Sequence, residues 1–357
     1  MSDPTPLGAW LTPEPEIVAS LEGPMQTGVT VSDDGRVFVC YPRWGDDVAC
    51  TVAEIVDGAP VPYPSAELND WAPDRTRETL TSVQSVVVGP DGHLWCLDTG
   101  SLAFAAFLDG GPKLVEIDLA SDEVVRTIRL SAEAVTPTTY LNDVRFDLSR
   151  GEGGYAYITD SQPEGALIVI NLASGESWAR LRGHRTTHAE DGFRAIVQGV
   201  VREGYVVGAD GIAIDATGER IYYCPLSARR LYSVSALALH DRSLSDQEVA
   251  ETIVDHGDKG ASDGMESDTD GAIYVTAYEH SAVMKRAADG TWSTVMHYPR
   301  ALWPDTLSLA VDGHLYVSNN QLPRAPLFNG GVDSRIQPYE IVRIPVGAQP
   351  VRLRAGD

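Results

Sequence analysis

The stretch DGIAIDATGERIYYCPLS (residues 210–227) decides the fold of this chain. A short apolar run (212–214) is followed by a polar turn that ends in Gly218 and by a second apolar run (221–223). Two such runs across a short turn that contains glycine are typical of a β-hairpin.

Five further stretches repeat this pattern of strand, polar turn with glycine, and strand. They are VTVSDDGRVFVCYPRW (29–44), VVVGPDGHLWCLDTG (86–100), VRFDLSRGEGGYAYITDS (144–161), MESDTDGAIYVTAYEHS (265–281) and LSLAVDGHLYVSNN (307–320). Six copies at roughly 40 to 65 residue intervals predict an all-β, six-bladed β-propeller with one hairpin in each blade.

The two ends of the chain carry one further strand pattern each. PEIVASL (15–21) precedes the first blade, and YEIVRIPV (339–346) follows the last hairpin. The last blade lacks an outer strand, so we expect the N-terminal strand to supply it and to close the ring. We interpret residues 1–357 as a single propeller domain, with residues 1–14 as an extended N-terminal tail.

Charge and composition limit the partners of the protein. The formal net charge of -24 opposes binding to nucleic acid or to anionic membranes and favours solubility or cationic ligands. The start MSDPTPLGAW lacks the pattern of a signal peptide, so we expect a cytoplasmic protein. We also expect it to be a monomer or a small homo-oligomer. The four cysteines form no CxxC pair, which favours reduced, buried thiols.

The spacing inside the repeat predicts where the functional site lies. The residue eight positions before each turn glycine is polar in every blade: Thr27, Gln84, Asp143, Asp210, Asp263 and Asp305. The first strand of a propeller blade lines the central channel, so these six residues, which we call the polar ring, should surround one channel mouth. We expect Gly211 and Gly264 to leave the channel open beside Asp210 and Asp263.

Loops that follow the second strand of each blade should surround the same mouth. They contribute candidate substrate-binding residues, namely Arg43 and Trp44, Asp160, Tyr278 and Asn319. Trp303 precedes Asp305 and could line an aromatic pocket, although Trp44 and Trp303 could equally pack between blades. His280, beside Glu279, is a candidate acid or base. The long segment 180–208 is either a lid or an outer strand with a decorated turn.

The sequence resembles the yellow and major royal jelly family, which includes bacterial proteins called L-dopachrome tautomerase-related. The resemblance rests on the order of GRVFVCYPRW (35–44), LWCLDTG (94–100), YAYITDS (155–161), IYYCPLSARRLYSV (221–234), WPD (303–305) and LYVSNN (315–320). It covers residues 24–345 and implies a six-bladed propeller. It also implies activities such as dopachrome isomerisation or the binding of aromatic amines.

Some segments also resemble the gluconolactonase and senescence-marker-protein family. SDGMESDTDGAIYVTA (262–277) resembles a segment with a catalytic aspartate that binds a divalent ion, here Asp263. ADGIAIDATGERIYYC (209–224) resembles a segment with an asparagine ligand, here Asp210, and LNDV (141–144) a segment whose asparagine touches substrate, here Asn142. The glutamate ligand of that family is replaced by Thr27 beside Gln26, which weakens the expectation of a metal.

These observations lead to one preferred function and two alternatives. The preferred function is an isomerase that tautomerises a small oxygenated or aromatic metabolite, with Asp263 as the base and His280 or Glu279 as alternatives. The second is a lactone or ester hydrolase in which Asp210 and Asp263 hold a divalent cation such as calcium. The third is a binding protein for amines without catalytic activity. The substrate-binding set comprises Gln26, Thr27, Arg43, Trp44, Gln84, Asn142, Asp143, Asp160, Tyr278, Trp303, Asp305 and Asn319.

Overall fold

A computed structural model describes residues 12–356. Of the 26 strands in the described residues, 24 form six antiparallel sheets of four strands, and these sheets are the six predicted blades. Blade 1 contains β2 (Val29–Val31), β3 (Val37–Cys40), β4 (Val52–Val56) and β5 (Ala59–Pro62). Blade 2 contains β6 (Val83–Val88), β7 (Leu94–Asp98), β8 (Lys113–Asp118) and β9 (Glu123–Arg129). Blade 3 contains β10 (Leu141–Asp147), β11 (Tyr155–Asp160), β12 (Ala166–Asn171) and β13 (Ser177–Arg180).

The second half of the chain repeats this arrangement. Blade 4 contains β16 (Ala209–Ile214), β17 (Arg220–Pro225), β18 (Arg230–Ser235) and β19 (Val254–Asp258). Blade 5 contains β20 (Met265–Ser267), β21 (Ile273–Ala277), β22 (Ala282–Arg286) and β23 (Trp292–His297). Blade 6 contains β24 (Trp303–Leu309), β25 (His314–Asn320), β26 (Tyr339–Pro345) and, as its outer strand, β1 (Glu16–Leu21).

The N-terminal strand closes the propeller, as the sequence predicted. β1 pairs with β26 in antiparallel register, from Glu16 opposite Arg343 to Leu21 opposite Tyr339. The first strands of the blades stand side by side around the channel, and β2 of blade 1 lies next to β24 of blade 6. The ring is therefore continuous, and its last blade is built from both ends of the chain.

Apolar side chains fill the interfaces between neighbouring blades. Trp95 of blade 2 packs in one cluster with Ile158 of blade 3, and Ile273 of blade 5 packs in another with Leu231 of blade 4. Cys40, Cys96 and Cys224 are buried free thiols, as predicted, and the thiol of Cys40 donates to the Gln84 carbonyl of the next blade at 3.1 Å.

Several short elements lie outside the blades. They are α1 (Ala66–Asn69), a separate hairpin of β14 (Ala195–Val197) and β15 (Val200–Arg202), α2 (Ala236–His240), α3 (Asp246–Ala250), and the 3-10 turns η1 (Leu322–Arg324) and η2 (Pro326–Phe328). The hairpin lies within the long segment 180–208, and η1 and η2 lie between β25 and β26. Within residues 12–356, every helix is too short to cross a lipid bilayer.

Candidate functional site at the channel mouth

The polar ring forms because the first strands of four blades are irregular at the ring position. Register shifts fall between Val83 and Ser85, between Leu141 and Val144, between Ala209 and Ile212, and between Pro304 and Leu307. These intervals contain Gln84, Asp143, Asp210 and Asp305. A bulge re-aims a side chain and is frequent beside functional sites. Thr27 and Asp263 lie just before the short strands β2 and β20.

The glycines beside two ring aspartates have a different role from the one we expected. A Cβ atom on Gly211 would lie 2.2 Å from the Asp263 carbonyl, and one on Gly264 would lie 2.4 Å from the Asp305 carbonyl. The expectation that these glycines leave the channel open was therefore wrong. They let the backbones of neighbouring blades approach closely, which brings the carboxyl groups of consecutive blades together.

All four ring aspartates are buried, with 4 to 8% of each residue exposed. Asp143 is compensated, because its Oδ1 accepts from Ser85 Oγ at 2.7 Å and from Arg145 Nη1 at 3.0 Å. Asp305 accepts from Asn320 Nδ2 at 2.5 Å and from Thr306 Oγ1 at 3.1 Å. These donors stabilise negative charge on Asp143 and Asp305, which are the first and the last of the four ring aspartates in chain order.

Asp210 and Asp263 form the least compensated pair of the ring. Asp263 Oδ2 accepts from the indole Nε1 of Trp303 at 2.7 Å, and the two carboxyl groups are within hydrogen-bonding reach of each other. Asp210 Oδ1 has no hydrogen-bond donor among the described residues. Two carboxyl groups can share a hydrogen bond only if one of them carries a proton, so the pair needs either a proton or a bound cation.

The electrostatics of the ring favour the protonated form of this pair. Burial, followed by the negative charge of Asp263, raises the pKa of Asp210 well above its ordinary value. Burial also raises the pKa of Asp263 to about 6, although the hydrogen bonds from Asp210 and Trp303 oppose this rise. Burial and the charge of Asp263 raise the pKa of Asp305 in the same way. These shifts favour an arrangement in which a neutral Asp210 donates to an ionisable Asp263.

A continuous set of aromatic side chains, which we call the mouth aromatics, surrounds this end of the channel. It comprises Trp44, Phe104, Tyr140, Tyr205, Tyr278, Trp303 and Phe328. Tyr278 stacks on Trp303 with ring centroids 4.0 Å apart, and Trp44 stacks on Phe104 at 5.1 Å. Trp44 also donates from Nε1 to Tyr140 Oη at 2.7 Å, and Tyr140 donates to Gln84 Oε1 at 2.9 Å.

Two segments between blades cover the mouth. Ala195 and Val197 of the β14–β15 hairpin are buried in one apolar cluster with Tyr278, Trp303 and Leu322. Arg324 of η1 donates from Nε to Gln198 at the tip of the hairpin, at 3.3 Å. Of the two interpretations of segment 180–208, the structure therefore agrees with a loop that folds over the mouth.

The structure places Glu279 and His280 away from the ring. The Glu279 carboxylate accepts from the Ile196 amide at 2.7 Å and from Arg229 Nη2 at 2.6 Å, so it anchors the hairpin. His280 is exposed and lines an open cleft beside the hairpin that also includes Arg194. The structure does not bring either residue together with Asp263.

Two further predicted binding residues have structural contacts within the blades. Arg43 donates from Nε to the Thr81 carbonyl at 2.8 Å and from Nη1 to the Val48 carbonyl at 2.5 Å. The fully buried Asp160 carboxylate accepts from Arg182 Nη1 and Thr139 Oγ1, both at 2.9 Å. These contacts tie loops together and leave little capacity for a ligand.

The remaining predicted residues lie at the mouth and differ in how fully they are hydrogen-bonded. Thr27 donates to the Gln84 carbonyl at 2.9 Å, and Gln26 donates to the Asn319 carbonyl at 2.9 Å. The side-chain carbonyl oxygens of Gln26 and Asn319 are buried without a donor among the described residues. Asn142 is half-buried. Buried side-chain oxygens of Gln26, Asn319 and Asp210 are thus left without a donor among the described residues.

Unpaired oxygens of this kind can be ligands of a cation, so we asked whether a cation fits the site. Asp210 and Asp263 supply adjacent carboxylates, and the unpaired Asp210 Oδ1 is the kind of oxygen ligand that calcium prefers. The hydroxyl of Thr27 already donates to a backbone carbonyl, so blade 1 supplies no carboxylate. On the side of blades 4 and 5 the described residues therefore offer a cation two adjacent carboxylates, without a third acidic, histidine or cysteine ligand close to both.

Sequence reasoning missed several residues of the site. Asn320 donates to Asp305, whereas its predicted neighbour Asn319 donates to the Glu340 carbonyl at 3.3 Å. Tyr140, Phe104 and Phe328 come from connections between strands, where no periodic pattern marks them. A signal for Asn320 was available, because it ends the strand that pairs with Trp303.

Comparisons with known proteins agree with this architecture. The chain is similar to Protein yellow of Drosophila subobscura, with 26% identity over 285 residues that cover 74% of this chain and 48% of that protein. The chain therefore spans about half the length of the curated relatives it matches.

Two solved structures share the fold at low sequence identity. A gluconolactonase from Xanthomonas campestris has a TM-score of 0.54 at 12% identity, covering 94% of this chain and 96% of that one. Regucalcin, a calcium-binding protein from Agrobacterium tumefaciens, has a TM-score of 0.54 at 13% identity, covering 95% and 98%. The sequence model of the major royal jelly protein family matches residues 81–346, and the chain belongs to that family.

Proposed function

We propose that the protein is an isomerase that tautomerises a small aromatic or oxygenated metabolite at the channel mouth. The observation that carries this proposal is the buried pair of Asp210 and Asp263, and burial raises the pKa of both carboxyls, that of Asp263 to about 6. A general base is most effective when its pKa lies near the working pH, and a general acid must still hold its proton there.

The pair can move protons in both directions without a net change. In the proposed step, the Asp263 carboxylate removes a proton from a carbon that is beside a substrate carbonyl or conjugated with it through a C=C bond, and electrons shift from that C–H bond to the carbonyl oxygen. Neutral Asp210 gives its proton to this oxygen, which completes the enol. The proton on Asp263 then passes to Asp210 across the hydrogen bond that joins them, and the starting state is restored.

The surroundings of the pair support an aromatic or conjugated substrate. The mouth aromatics offer flat apolar faces around an acidic centre, which suits an aromatic or conjugated ring. Trp303 links the two parts, because it stacks on Tyr278 and donates to Asp263. The ring is buried, so a substrate enters only if the β14–β15 hairpin or the segment 322–336 moves aside.

Replacing Asp263 tests the proposal directly. Asp263→Asn keeps an oxygen that accepts from Trp303 but removes the proton-accepting carboxylate. We expect turnover of the probes L-dopachrome or phenylpyruvate, followed by absorbance, to fall by roughly two to four orders of magnitude with little change in binding.

Asp289→Asn is the matched control, because Asp289 is exposed in the turn between β22 and β23 of the same blade. Its turnover should equal that of the wild type. Wild-type turnover in Asp263→Asn would exclude Asp263 as the base. A wild-type protein that binds aromatic amines such as tyramine, but turns over neither probe, would instead indicate a binding protein.

The second candidate is a lactone or ester hydrolase assisted by a divalent cation. The unpaired Asp210 Oδ1 beside Asp263 favours it, and the similar structures include a gluconolactonase and a calcium-binding protein. Asp210 and Asp263 would hold the ion. When bound, such an ion polarises a substrate carbonyl and lowers the pKa of a water molecule.

Thermal melts separate the two candidates. If Asp210 and Asp263 hold calcium, added calcium should raise the melting temperature of chelator-treated protein, because the ion binds only the folded state. The increase should vanish in Asp210→Asn and persist in Asp289→Asn. Identical melts of the wild type with calcium and with chelator would exclude this candidate.

A further inference from the structure

A polar cleft lies between the β14–β15 hairpin and the segment after η1. Its volume is about 450 Å³. One wall is formed by residues 201–205 and the other by residues 327–330. Phe328 and Tyr205 belong both to this cleft and to the mouth aromatics, so the cleft adjoins the proposed active site.

Arg202 is an uncompensated cation in this cleft. Its guanidinium forms no hydrogen bond or ion pair with any described residue, and its Nε atom is buried without a partner. Other arginines at this face are paired, since Arg229 contacts Glu279 at 2.6 Å and Arg335 contacts Asp46 at 2.7 Å. A buried donor without an acceptor is costly, so an acceptor supplied by a ligand in the cleft would be favourable.

The neighbouring acidic residue does not neutralise Arg202. Glu203 follows it in sequence, but the Glu203 side chain is 72% exposed and its carboxylate lies 3.6 Å from Arg194. The charge of Arg202 therefore remains available to an anion that enters the cleft.

Tyr205 provides a second donor beside the first. Its hydroxyl is buried without a hydrogen-bond partner among residues 12–356, and it is close enough to Arg202 to feel its charge. The Tyr205 ring lies 6.1 Å from the Trp303 ring, and Trp303 donates to Asp263. The Trp303 indole thus connects the Tyr205 ring of the cleft with the Asp263 carboxylate.

We propose that Arg202 and Tyr205 bind the carboxylate of a ring-bearing substrate whose tautomerising end reaches Asp263. A guanidinium and a hydroxyl match the two oxygens of a carboxylate, and an aromatic ring spans the distance along the mouth aromatics. This inference rests on the proposed function and narrows its substrate class to aromatic carboxylic acids. It also explains how a chain with a net charge of -24 admits an anion.

Calorimetric binding of two matched probes tests this inference without any turnover. The probes are 4-hydroxyphenylacetate and its uncharged analogue 4-hydroxyphenylacetamide. We expect the wild type to prefer the acid, and Arg202→Gln to bind the acid roughly tenfold to a hundredfold more weakly with little change for the amide. Arg185→Gln, which removes an exposed arginine outside the cleft, should keep the wild-type preference.

Tyr205→Phe gives an independent check, because it removes only the hydroxyl and should weaken acid binding in the same direction. Equal affinity of the wild type for acid and amide, or an unchanged preference in both variants, would overturn the inference. Inorganic phosphate that binds as tightly as the aromatic acid would also overturn it, since the cleft would then serve free oxyanions. Failure of the Asp263→Asn test would leave these binding results unaffected, so the two proposals can fail separately.

Discussion

At the scale of single residues, the site depends on burying carboxyl groups without enough cations to pair them. Asp143 has Arg145, whereas Asp210 and Asp263 have mainly each other and the indole of Trp303. Burial without a counter-charge raises a carboxyl pKa, and two adjacent carboxyl groups cannot both ionise cheaply. We therefore expect the pair to reduce stability near neutral pH.

This cost predicts how stability changes with pH. The raised pKa of Asp210 means that its contribution to stability is fully present below the ordinary carboxyl pKa of about 4 and is lost as pH rises. Asparagine does not titrate, and it still donates to Asp263. We therefore expect Asp210→Asn to melt at a higher temperature than the wild type at pH 7.5, with the gain shrinking toward pH 4.

Melting curves across this pH range provide the measurement, and Asp289→Asn provides the contrast. Hydrogen bonds from Thr291 lower the pKa of the exposed Asp289, so the sign of its linkage is opposite to that of Asp210. Replacing it should produce no gain in melting temperature that grows with pH. A gain in Asp210→Asn that stays constant between pH 4 and pH 7.5 would contradict the raised pKa.

The residues of the site differ in how far the sequence could predict them. The eight-residue spacing identified the six ring positions, because a repeated hairpin fixes which residue starts each inner strand. The roles of Glu279 and Arg202 could not be predicted in this way. Glu279 bonds the amide of Ile196, 83 positions away in the chain, and no local pattern marks such a contact. Arg202 was not singled out, because its lack of partners is visible only in three dimensions.

At the scale of elements, the β14–β15 hairpin distinguishes this chain from a bare propeller. Its inward residues Ala195 and Val197 pack over the mouth, while Ile196 and Val201 are about half exposed. Alternation between buried and exposed residues is typical of a strand with one covered face. The sequence showed that segment 180–208 exceeds an ordinary connection, but it could not show which surface the segment covers.

The register shifts in the first strands of the blades are a second feature at this scale. These shifts coincide with ring positions in four blades. The backbones of neighbouring blades also approach closely at Gly211 and Gly264, which directly follow two of the ring aspartates. Regular strands would direct successive side chains to alternate sides. The bulges therefore explain how polar side chains gather at one mouth while the apolar residues after them fill the blade interfaces.

At the scale of the whole molecule, closure by β1 determines whether six blades behave as one ring. β1 covers the edge of β26, and its residues Ala19 and Leu21 are buried in the same cluster as Trp303 and Tyr278. An uncovered strand presents unpaired backbone groups to other chains. The N-terminal strand thus supports the outer edge of blade 6 and the packing beside the mouth.

Removing this strand should weaken the entire propeller. Deleting residues 1–22 exposes the β26 edge, removes Leu21 from the core and breaks the ion pair of Glu16 with Arg343, which measures 2.8 Å. Loss of one buried leucine side chain alone typically costs about 2 to 5 kcal/mol. We expect a melting temperature lower by many degrees and a tendency to associate through the exposed strand.

A shorter deletion separates closure from a general effect of truncation. Deleting residues 1–11 keeps all of β1, so this variant should melt close to the wild type. Its elution volume in size-exclusion chromatography should also equal that of the wild type. Leu21→Ala keeps the strand pairing and should lower the melting temperature less than the deletion of 1–22. If the deletion of 1–22 melted like the deletion of 1–11, the ring would not depend on β1, and its stability would come from the interfaces between blades alone.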